Sequence, residues 1–210
     1  MQLLIATHNR GKIREVRRVL EQLPVTLRTL DEFPNVVTVE ETGVTYSENA
    51  VLKALGYAQQ TGILTLADDS GLEVDALDGG PGVFSARFGK GAASNADRLK
   101  KLLTMTSQSP SKARTARFVC CLAVADVESN SATPCAQLVT VIEKHCDGSI
   151  ATMPRGENGF GYDPIFVPAG YSATFGELSD EVKRRISHRG KALTAFSTFL
   201  TSRIGNLTDR

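Results

Sequence analysis

The sequence has no excess of charge of one sign. Its 210 residues include 24 lysines and arginines against 23 aspartates and glutamates, a formal net charge of +1. Non-specific binding to nucleic acid or to a membrane surface usually requires a broadly basic surface. The balanced charge therefore argues against both kinds of partner, and any site for phosphate groups has to be local.

Long hydrophobic runs and paired cysteine motifs are also missing. The apolar start, Leu3 to Ala6, is far too short for a signal peptide or a membrane span, and no later stretch approaches that length. The four cysteines have no CxxC spacing, and three of them fall in apolar, strand-like runs. They are interpreted as reduced core residues, with metal ligation as a distant alternative. These absences predict a soluble, cytoplasmic protein, and the length suits a single domain over residues 1–210.

The most informative stretch is ILTLADDSGLEVD. Its apolar start, Ile63 to Ala67, predicts a buried strand, and Leu72 to Leu77 predicts a second one. Because an ionised carboxylate is costly inside a protein, we expect Asp68 and Asp69 at the exit of the first strand, where Gly71 allows a tight turn. Taken alone, such a tetrapeptide is more often a simple turn than a site.

The N-terminal segment predicts a strand, a polar loop and a helix. The strand is the apolar start of the chain, and apolar residues recur at helical spacing from Ile13 to Leu23. This order points free backbone N–H groups and the positive end of the helix dipole at the loop, and Lys12 adds a full charge. The loop lacks the Walker and dinucleotide-binding patterns, so it is either a local anion site or a turn made by Asn9 and Gly11.

A second helix is predicted from about Tyr46 to Gln60, because Thr45 and Glu48 have the spacing of a capping box and a glycine follows its end. On this helix Asn49 and Lys53 are four residues apart and share a face. A lone lysine on a helix is usually solvated. Here the helix precedes the carboxylate pair by one connection, which favours a functional role.

The middle of the chain predicts a helix and two long strands. Ser94 and Asp97 open an amphipathic helix, and a polar loop follows over Ser107 to Lys112. The strands cover Phe118 to Val127 and Ala136 to Lys144, joined by a polar connection. Their order predicts a hairpin.

The last third combines a glycine-rich loop with a run of cations. Met153 to Pro164 places three glycines around an aromatic pair, which is typical of a loop moulded on a ligand. Glu181 to Lys191 concentrates cations just before a closing helix whose apolar stripe begins at Ala192. Such a run is most often solvated, and a site that reads an anion or a carbonyl group is the alternative.

Several sequence blocks, taken together, resemble one known family. They are Thr7-x-Asn9-x-Gly11-Lys12, Glu40, Glu48-Asn49-Ala50 with Lys53, Ala67-Asp68-Asp69-Ser70-Gly71, Phe160-Gly161-Tyr162-Asp163-Pro164 and Ser187-His188-Arg189-Gly190. The blocks span residues 3–200 in order, and the pair FGYDP and SHRG is highly specific. The pattern resembles the inosine triphosphate pyrophosphatase family, the non-canonical purine NTP (dITP/XTP) pyrophosphatases. One departure is His8, which stands where these proteins commonly have glycine.

The resemblance implies an α/β fold with a long mixed central sheet flanked by helices, and two lobes with the active cleft between them. It implies a homodimer that uses Mg²⁺ to hydrolyse ITP, dITP and XTP to the monophosphate and pyrophosphate. Such an activity removes deaminated purines from the nucleotide pool.

The resemblance also implies roles for individual residues. Glu40 and Asp69 would bind Mg²⁺, which prefers hard oxygen ligands, although Glu41 and Asp68 remain open alternatives. Asp69 would be the general base, and Phe160 would stack on the purine. Lys53, the second catalytic residue, would hold the phosphates and, with Lys12, offset the charge that develops on the leaving pyrophosphate. The substrate-binding residues would be Thr7, His8, Asn9, Arg10, Gly11, Lys12, Ser70, Phe160, Gly161, Tyr162, Asp163, Lys183, His188 and Arg189. The role of His8 is open.

Two other functions compete with this one. A nucleotide-binding sensor would keep the pocket without turnover, although carboxylates without a metal repel a triphosphate. A Maf-type nucleotide pyrophosphatase would act on other nucleotides, and the FGYDP and SHRG blocks favour the purine family instead. An aspartyl-phosphate phosphatase is disfavoured, because the sequence DDSG lacks the DxDx[TV] arrangement that such enzymes use.

Overall fold

The protein has an α/β fold, described here from a computed structural model that covers residues 1–88, 94–108, 114–127 and 135–208. No helix within these ranges is long and apolar enough to cross a membrane. The strands are β1 (Gln2–Ile5), β2 (Thr26–Thr29), β3 (Thr65–Val74), β4 (Thr115–Val127), β5 (Ala136–Ile150) and β6 (Phe166–Pro168). The helices are α1 (Arg10–Leu20), α2 (Tyr46–Thr61), α3 (Asn95–Ser107), α4 (Asp180–Ile186) and α5 (His188–Thr208).

The six strands form one mixed sheet in the order β2-β1-β3-β4-β5-β6. β1 is parallel to both of its neighbours, with Ile5 opposite Thr29 on one side and Leu66 on the other. At the other edge, β6 is antiparallel to β5, with Val167 opposite Ser149. The predicted mixed α/β sheet is therefore confirmed.

The chain divides into two compact units. The first comprises Met1–Asp69, Cys120–Glu143 and Ala192–Arg210, and the second comprises Ser70–Val119 and Lys144–Lys191. Aliphatic residues from β1, α1, β3, β4 and α5 form the core of the first unit. The prediction of one domain over the whole chain stays a prediction.

The core of the second unit combines aliphatic residues with a group of phenylalanine rings. The rings of Phe118 and Phe166 lie 4.5 Å apart between centroids, and Phe175 stacks on Phe166 at 5.4 Å. Such ring pairs add about 0.5–1.5 kcal/mol each beyond the area that they bury. These contacts join β4, β6 and the segment that precedes α4.

Helix α2 forms as the sequence predicts. The side chain of Thr45 accepts from the Glu48 N–H and the Glu48 side chain accepts from the Thr45 N–H, which completes the capping box. The helix ends at Gly62, whose φ of 68° lies in the left-handed region that glycine adopts without strain. Ser94 likewise caps α3 by accepting from the Asp97 N–H.

Two predictions about chain organisation are wrong. Asp68 and Asp69 do not stand at a strand exit followed by a turn at Gly71, because β3 runs through them without a break. Their burial is tolerated because each carboxylate contacts a lysine. The closing helix also begins earlier than predicted, at His188, because the run of cations forms α4 and the first turn of α5.

Two predicted connections lie partly or wholly outside the described residues. β4 and β5 are consecutive neighbours in the sheet, as the hairpin prediction requires, and the link between them falls at 128–134. Most of the polar loop after α3, including residues 109–113, also falls outside.

Candidate active site

The predicted site residues gather in two groups, one in each unit. Each group is built around a buried ion pair between a lysine and an aspartate. The carboxylate cluster, in the first unit, consists of Lys12, Glu41, Lys53, Asp68 and Asp69. The aromatic cluster, in the second unit, consists of Phe160, Asp163, Lys183 and Arg189.

Lys53 is the centre of the carboxylate cluster. Its Nζ donates to Glu41 Oε1 at 2.6 Å, to Asp69 Oδ1 at 3.1 Å and to the main-chain oxygen of Asp68 at 2.8 Å. Burial disfavours the charged form, but the attraction of Asp69, Glu41 and Asp68 outweighs this cost and raises the pKa of Lys53. Lys53 is therefore a fixed positive charge at neutral pH.

Asp69 has the electrostatic environment of a general base. Burial raises the pKa of its carboxyl, while Lys53 and Lys12 oppose that shift. Its Oδ2 accepts from Asn49 Nδ2 at 3.3 Å, so the helical face that Asn49 shares with Lys53 does meet this carboxylate. A carboxylate with a raised pKa accepts a proton more readily than an ordinary surface aspartate does.

Asp68 is held on both carboxylate oxygens. Lys12 Nζ lies 2.5 Å from Oδ1, and the thiol of Cys120 on β4 donates to Oδ2 at a sulfur–oxygen distance of 3.5 Å. Sequence reasoning missed Cys120, because it lies in an apolar run of β4. The carboxylate of Asp68, which binds Lys12, is thus also held by a residue of the neighbouring strand β4.

The first loop is a capped helix start. The side chain of Asn9 accepts from the N–H groups of Gly11 and Lys12, at 2.9 and 3.2 Å, and the Asn9 N–H donates to Thr7 Oγ1 at 3.1 Å. The expectation that this helix end offers free N–H groups is therefore wrong for these two residues.

The two remaining predicted residues of the first loop, His8 and Arg10, are exposed. His8 Nδ1 lies 3.4 Å from Asp31 Oδ1. Neither has a contact with the carboxylate cluster among those that the structure gives. Lys12 is the residue of this loop that joins the cluster.

The carboxylate that reaches Lys53 is Glu41, whereas Glu40 is exposed. Within the described ranges no three His, Cys, Asp or Glu side chains form a ready metal site. Mg²⁺ does not need one, because it keeps several waters and is usually bound by one or two carboxylates together with substrate phosphates. Glu41 and Asp69, both within 3.1 Å of the same nitrogen, supply hard oxygen donors of that kind.

Asp163 anchors the glycine-rich loop of the second unit. Its Oδ2 accepts from the Phe160 N–H and from Lys183 Nζ, both at 2.7 Å, and both ionic side chains are less than a tenth exposed. The loop passes so close that a Cβ on Gly159 would lie 2.1 Å from this oxygen, and its φ is +77°. Only glycine suits that position.

Two cations contact the Phe160 ring. Lys183 Nζ lies 4.8 Å and Arg189 Cζ 5.5 Å from the ring centroid. Arg189 is buried, and its Nη2 donates to Ser70 Oγ at 2.6 Å. Ser70, predicted to donate to a substrate oxygen, therefore also orients Arg189.

Three further predicted residues lie in this loop or at the start of α5. Tyr162 is buried, and its hydroxyl donates to the main-chain oxygen of Ser85 at 2.9 Å. Burial raises the pKa of Tyr162 to about 12. The oxygen of Gly161 accepts from Asn95 Nδ2 at 3.1 Å. His188 is buried and stacks on Phe118 at 4.6 Å. These contacts fix the shape of the loop and the start of α5.

The chain belongs to the Ham1 family, whose model matches residues 3–199. A dITP/XTP pyrophosphatase of Desulforamulus reducens is 46% identical over 193 residues, 92% of each chain. One of Geobacter sulfurreducens is 44% identical over 199 residues, 95% of this chain and 96% of its own. The predicted family is therefore confirmed.

Solved structures agree with the fold. A HAM1 protein from Coxiella burnetii superposes with a TM-score of 0.84 at 40% identity, covering 96% of this chain and 99% of its own. A nucleoside-triphosphatase / dITP/XTP pyrophosphatase from Mycobacterium abscessus has a TM-score of 0.71 at 42% identity, with 93% and 97% covered.

Proposed function

We propose that the protein hydrolyses the non-canonical purine nucleoside triphosphates ITP, dITP and XTP to the monophosphate and pyrophosphate, with Mg²⁺ as its cofactor. The reaction would remove deaminated purines from the nucleotide pool. The names of the relatives at 46% and 44% identity support the substrate class. The observation that carries the proposal is the position of Lys53 Nζ between the carboxylates of Glu41 and Asp69.

The carboxylate cluster suits the cleavage of a phosphoanhydride. Asp69 accepts the proton of the attacking water, because burial raises its affinity for a proton while two lysines hold the carboxylate in place. Lys12 and Lys53 offset the charge that develops on the leaving pyrophosphate.

The metal would be held by Asp69 together with Glu41, which we favour over Glu40 because it lies at Lys53. When bound, Mg²⁺ supplies positive charge to the phosphate oxygens and lowers the pKa of water. Lys53 contacts both carboxylates, so it keeps the two donors close together before the metal arrives.

The aromatic cluster suits a purine with a 6-oxo group. The Phe160 ring offers a stacking surface, and Arg189 can only donate hydrogen bonds. A donor pairs with the 6-oxygen of inosine or xanthine but leaves the 6-amino group of adenine without an acceptor. Ser70 supports this discrimination between bases, because its Oγ accepts from Arg189 Nη2 at 2.6 Å and so fixes the guanidinium.

The test is a nucleotide panel of ITP, dITP, XTP, GTP and ATP with Mg²⁺, in which pyrophosphate and monophosphate are both measured. We expect equal amounts of the two products and higher kcat/KM for ITP, dITP and XTP. Nucleotide binding without products would favour the sensor, and release of single phosphates would contradict pyrophosphate cleavage.

We also propose that the protein is a cytoplasmic homodimer, as the resemblance to the family implies. Sedimentation equilibrium should give twice the mass of one chain. A mass that stays at one chain across the concentration range would contradict the dimer, and cell fractionation tests the location separately.

A further inference from the structure

We propose that Cys120 is a positioning residue: its thiol fixes the Asp68 carboxylate, which in turn holds Lys12 in place for the phosphates. The inference rests on the proposed function, in which Lys12 binds the triphosphate. It assigns a task to a buried cysteine that the composition identifies only as part of the core.

The geometry gives Asp68 two different partners. Its Oδ1 is taken by Lys12 Nζ at 2.5 Å, and its Oδ2 accepts from the Cys120 thiol at 3.5 Å. Cys120 is 0% exposed and Asp68 is 6% exposed, so water cannot easily replace the thiol as donor. A carboxylate held by one oxygen alone can rotate about its Cα–Cβ and Cβ–Cγ bonds, whereas contacts at both oxygens fix its plane.

The position of Cys120 also separates the tasks of the two aspartates. Asp69 contacts Lys53 and Asn49 on α2, whereas Asp68 contacts Lys12 and Cys120. Both carboxylate oxygens of Asp68 accept hydrogen bonds, and this arrangement suits a residue that holds Lys12 in place. A thiol suits this task because it is small enough for the aliphatic core of β4 and still donates a hydrogen bond.

The first experiment compares Cys120→Ala with Cys120→Ser in steady-state kinetics with ITP and Mg²⁺. Loss of the donor should raise KM by roughly twofold to tenfold and lower kcat by a smaller factor, because Lys12 contacts the phosphates of the bound substrate as well as the leaving pyrophosphate. Serine restores a donor and should bring KM most of the way back. A packing defect alone would not be rescued by the more polar residue.

Cys146→Ala is the matched control. It also removes a buried thiol, but from the second unit, where the sulfur contacts only the oxygen of Asp147 among the contacts that the structure gives. It should lower the thermal midpoint to a similar extent as Cys120→Ala and leave KM unchanged. An equal rise of KM in both variants would overturn the inference.

A double-mutant cycle with Lys12→Ala tests whether Cys120 acts through Lys12. In the Lys12→Ala background, Cys120→Ala should change KM by less than roughly twofold, because the lysine that Asp68 holds is gone. The same cycle on the Kd of inorganic pyrophosphate, measured by calorimetry, does not depend on turnover. Additive effects in both cycles would overturn the inference, whether or not the wild-type protein cleaves nucleotides.

Infrared spectroscopy tests the hydrogen bond itself. The S–H stretching band of Cys120, identified by its loss in Cys120→Ala, should shift when Asp68→Ala removes the acceptor. The band of Cys146 should stay where it is. An unshifted Cys120 band would overturn the inference, while a shifted band in a protein without pyrophosphatase activity would place the fault with the proposed function.

Discussion

The two clusters use the same kind of buried pair with opposite charge balance. The carboxylate cluster has three carboxylates against two ammonium groups, a formal excess of one negative charge. The aromatic cluster has one carboxylate against an ammonium and a guanidinium, a formal excess of one positive charge. The difference indicates what each cluster can receive: the first suits a divalent cation, and the second suits an uncharged group rich in acceptors.

The clusters also differ in what holds them. Regular structure supports the carboxylate cluster, since β3 carries both aspartates and α2 carries Lys53. In the aromatic cluster, Phe160 lies in the glycine-rich loop, which one aspartate holds in shape. A change in the first should therefore affect the chemical step, and a change in the second should affect the choice of base.

The largest expected effect follows from Asp69→Asn. The amide neither accepts the proton of water nor binds Mg²⁺ as well as a carboxylate, so kcat should fall on the order of 10² to 10⁴. The measurement is pyrophosphate release from ITP with Mg²⁺, with circular dichroism to show that the fold is intact. Asp147→Asn, at an aspartate that is 65% exposed, is the control and should keep full activity. Near-normal kcat in a folded Asp69→Asn protein would transfer the role to Asp68.

The next effect in size follows from Lys12→Ala and Lys53→Ala. Each removes charge-assisted contacts worth about 1.5–3 kcal/mol, so kcat/KM for ITP should fall roughly tenfold to more than a hundredfold. Lys100→Ala, at an exposed lysine of α3, is the control and should change nothing. Either lysine reverts to an ordinary structural residue if its variant keeps the wild-type value at physiological salt.

Lys53→Ala should also change how kcat/KM depends on pH. As the proposed general base, Asp69 would have to be deprotonated, so activity should be lost as the pH falls through its raised pKa. Lys53 opposes that rise, so Lys53→Ala should move the acidic limb of the kcat/KM profile to higher pH. If the acidic limb of Lys53→Ala moved to lower pH instead, a group other than Asp69 would control it.

A change in base choice should follow from Arg189→Ala. The variant would lose the donor that is proposed to discriminate against a 6-amino group, so the ITP-to-ATP ratio of kcat/KM should fall roughly tenfold to more than a hundredfold. The ITP-to-GTP ratio should fall less, because guanine keeps the 6-oxo group. Ser70→Ala should give the same direction with a smaller change. Arg185→Ala, at an exposed arginine of α4, is the control, and an unchanged ITP-to-ATP ratio in Arg189→Ala would exclude Arg189 as the reader.

The smallest expected effect is a change in the rate at which one buried thiol in each unit reacts with a thiol reagent. Burial raises the pKa of Cys121 and of Cys146 to about 11, so both should react slowly with a thiol reagent, while exposed Cys135 reacts at once. Pyrophosphate with Mg²⁺ should slow the reaction of Cys121 further and leave Cys146 unchanged. Equal protection of both thiols would contradict the separate tasks assigned to the two clusters.

Local sequence signals predicted the parts of the site that depend on local structure. The capping box and Gly62 bound α2, and a spacing of four residues places Asn49 and Lys53 on one face of it. Both residues then meet Asp69. Helix caps and helical spacing are fixed by neighbouring residues, so a sequence carries them directly.

Most of the errors concern contacts between residues that are distant in the chain; the exception is the local cap that Asn9 places on Gly11 and Lys12. The sequence placed the aspartates outside a strand because burial of an unpaired carboxylate is costly, but the partner of Asp68 is Lys12, 56 residues away. The same applies to Cys120, 52 residues from Asp68. The difference between Glu40 and Glu41 depends on the path of an irregular loop, whose backbone no periodicity describes.

The unbroken course of β3 restricts which changes of chain length the protein can tolerate. Successive side chains of a strand point to opposite faces, so Asp68 and Asp69 serve different partners only because they differ by one position. An insertion or deletion of one residue between Thr65 and Asp68 would exchange the faces of the residues on one side of it: either the two carboxylates turn towards each other's partners, or the apolar side chains before them leave the core. Related sequences should therefore vary in length in the loops on either side of β3 and keep the number of residues from Thr65 to Asp69 constant.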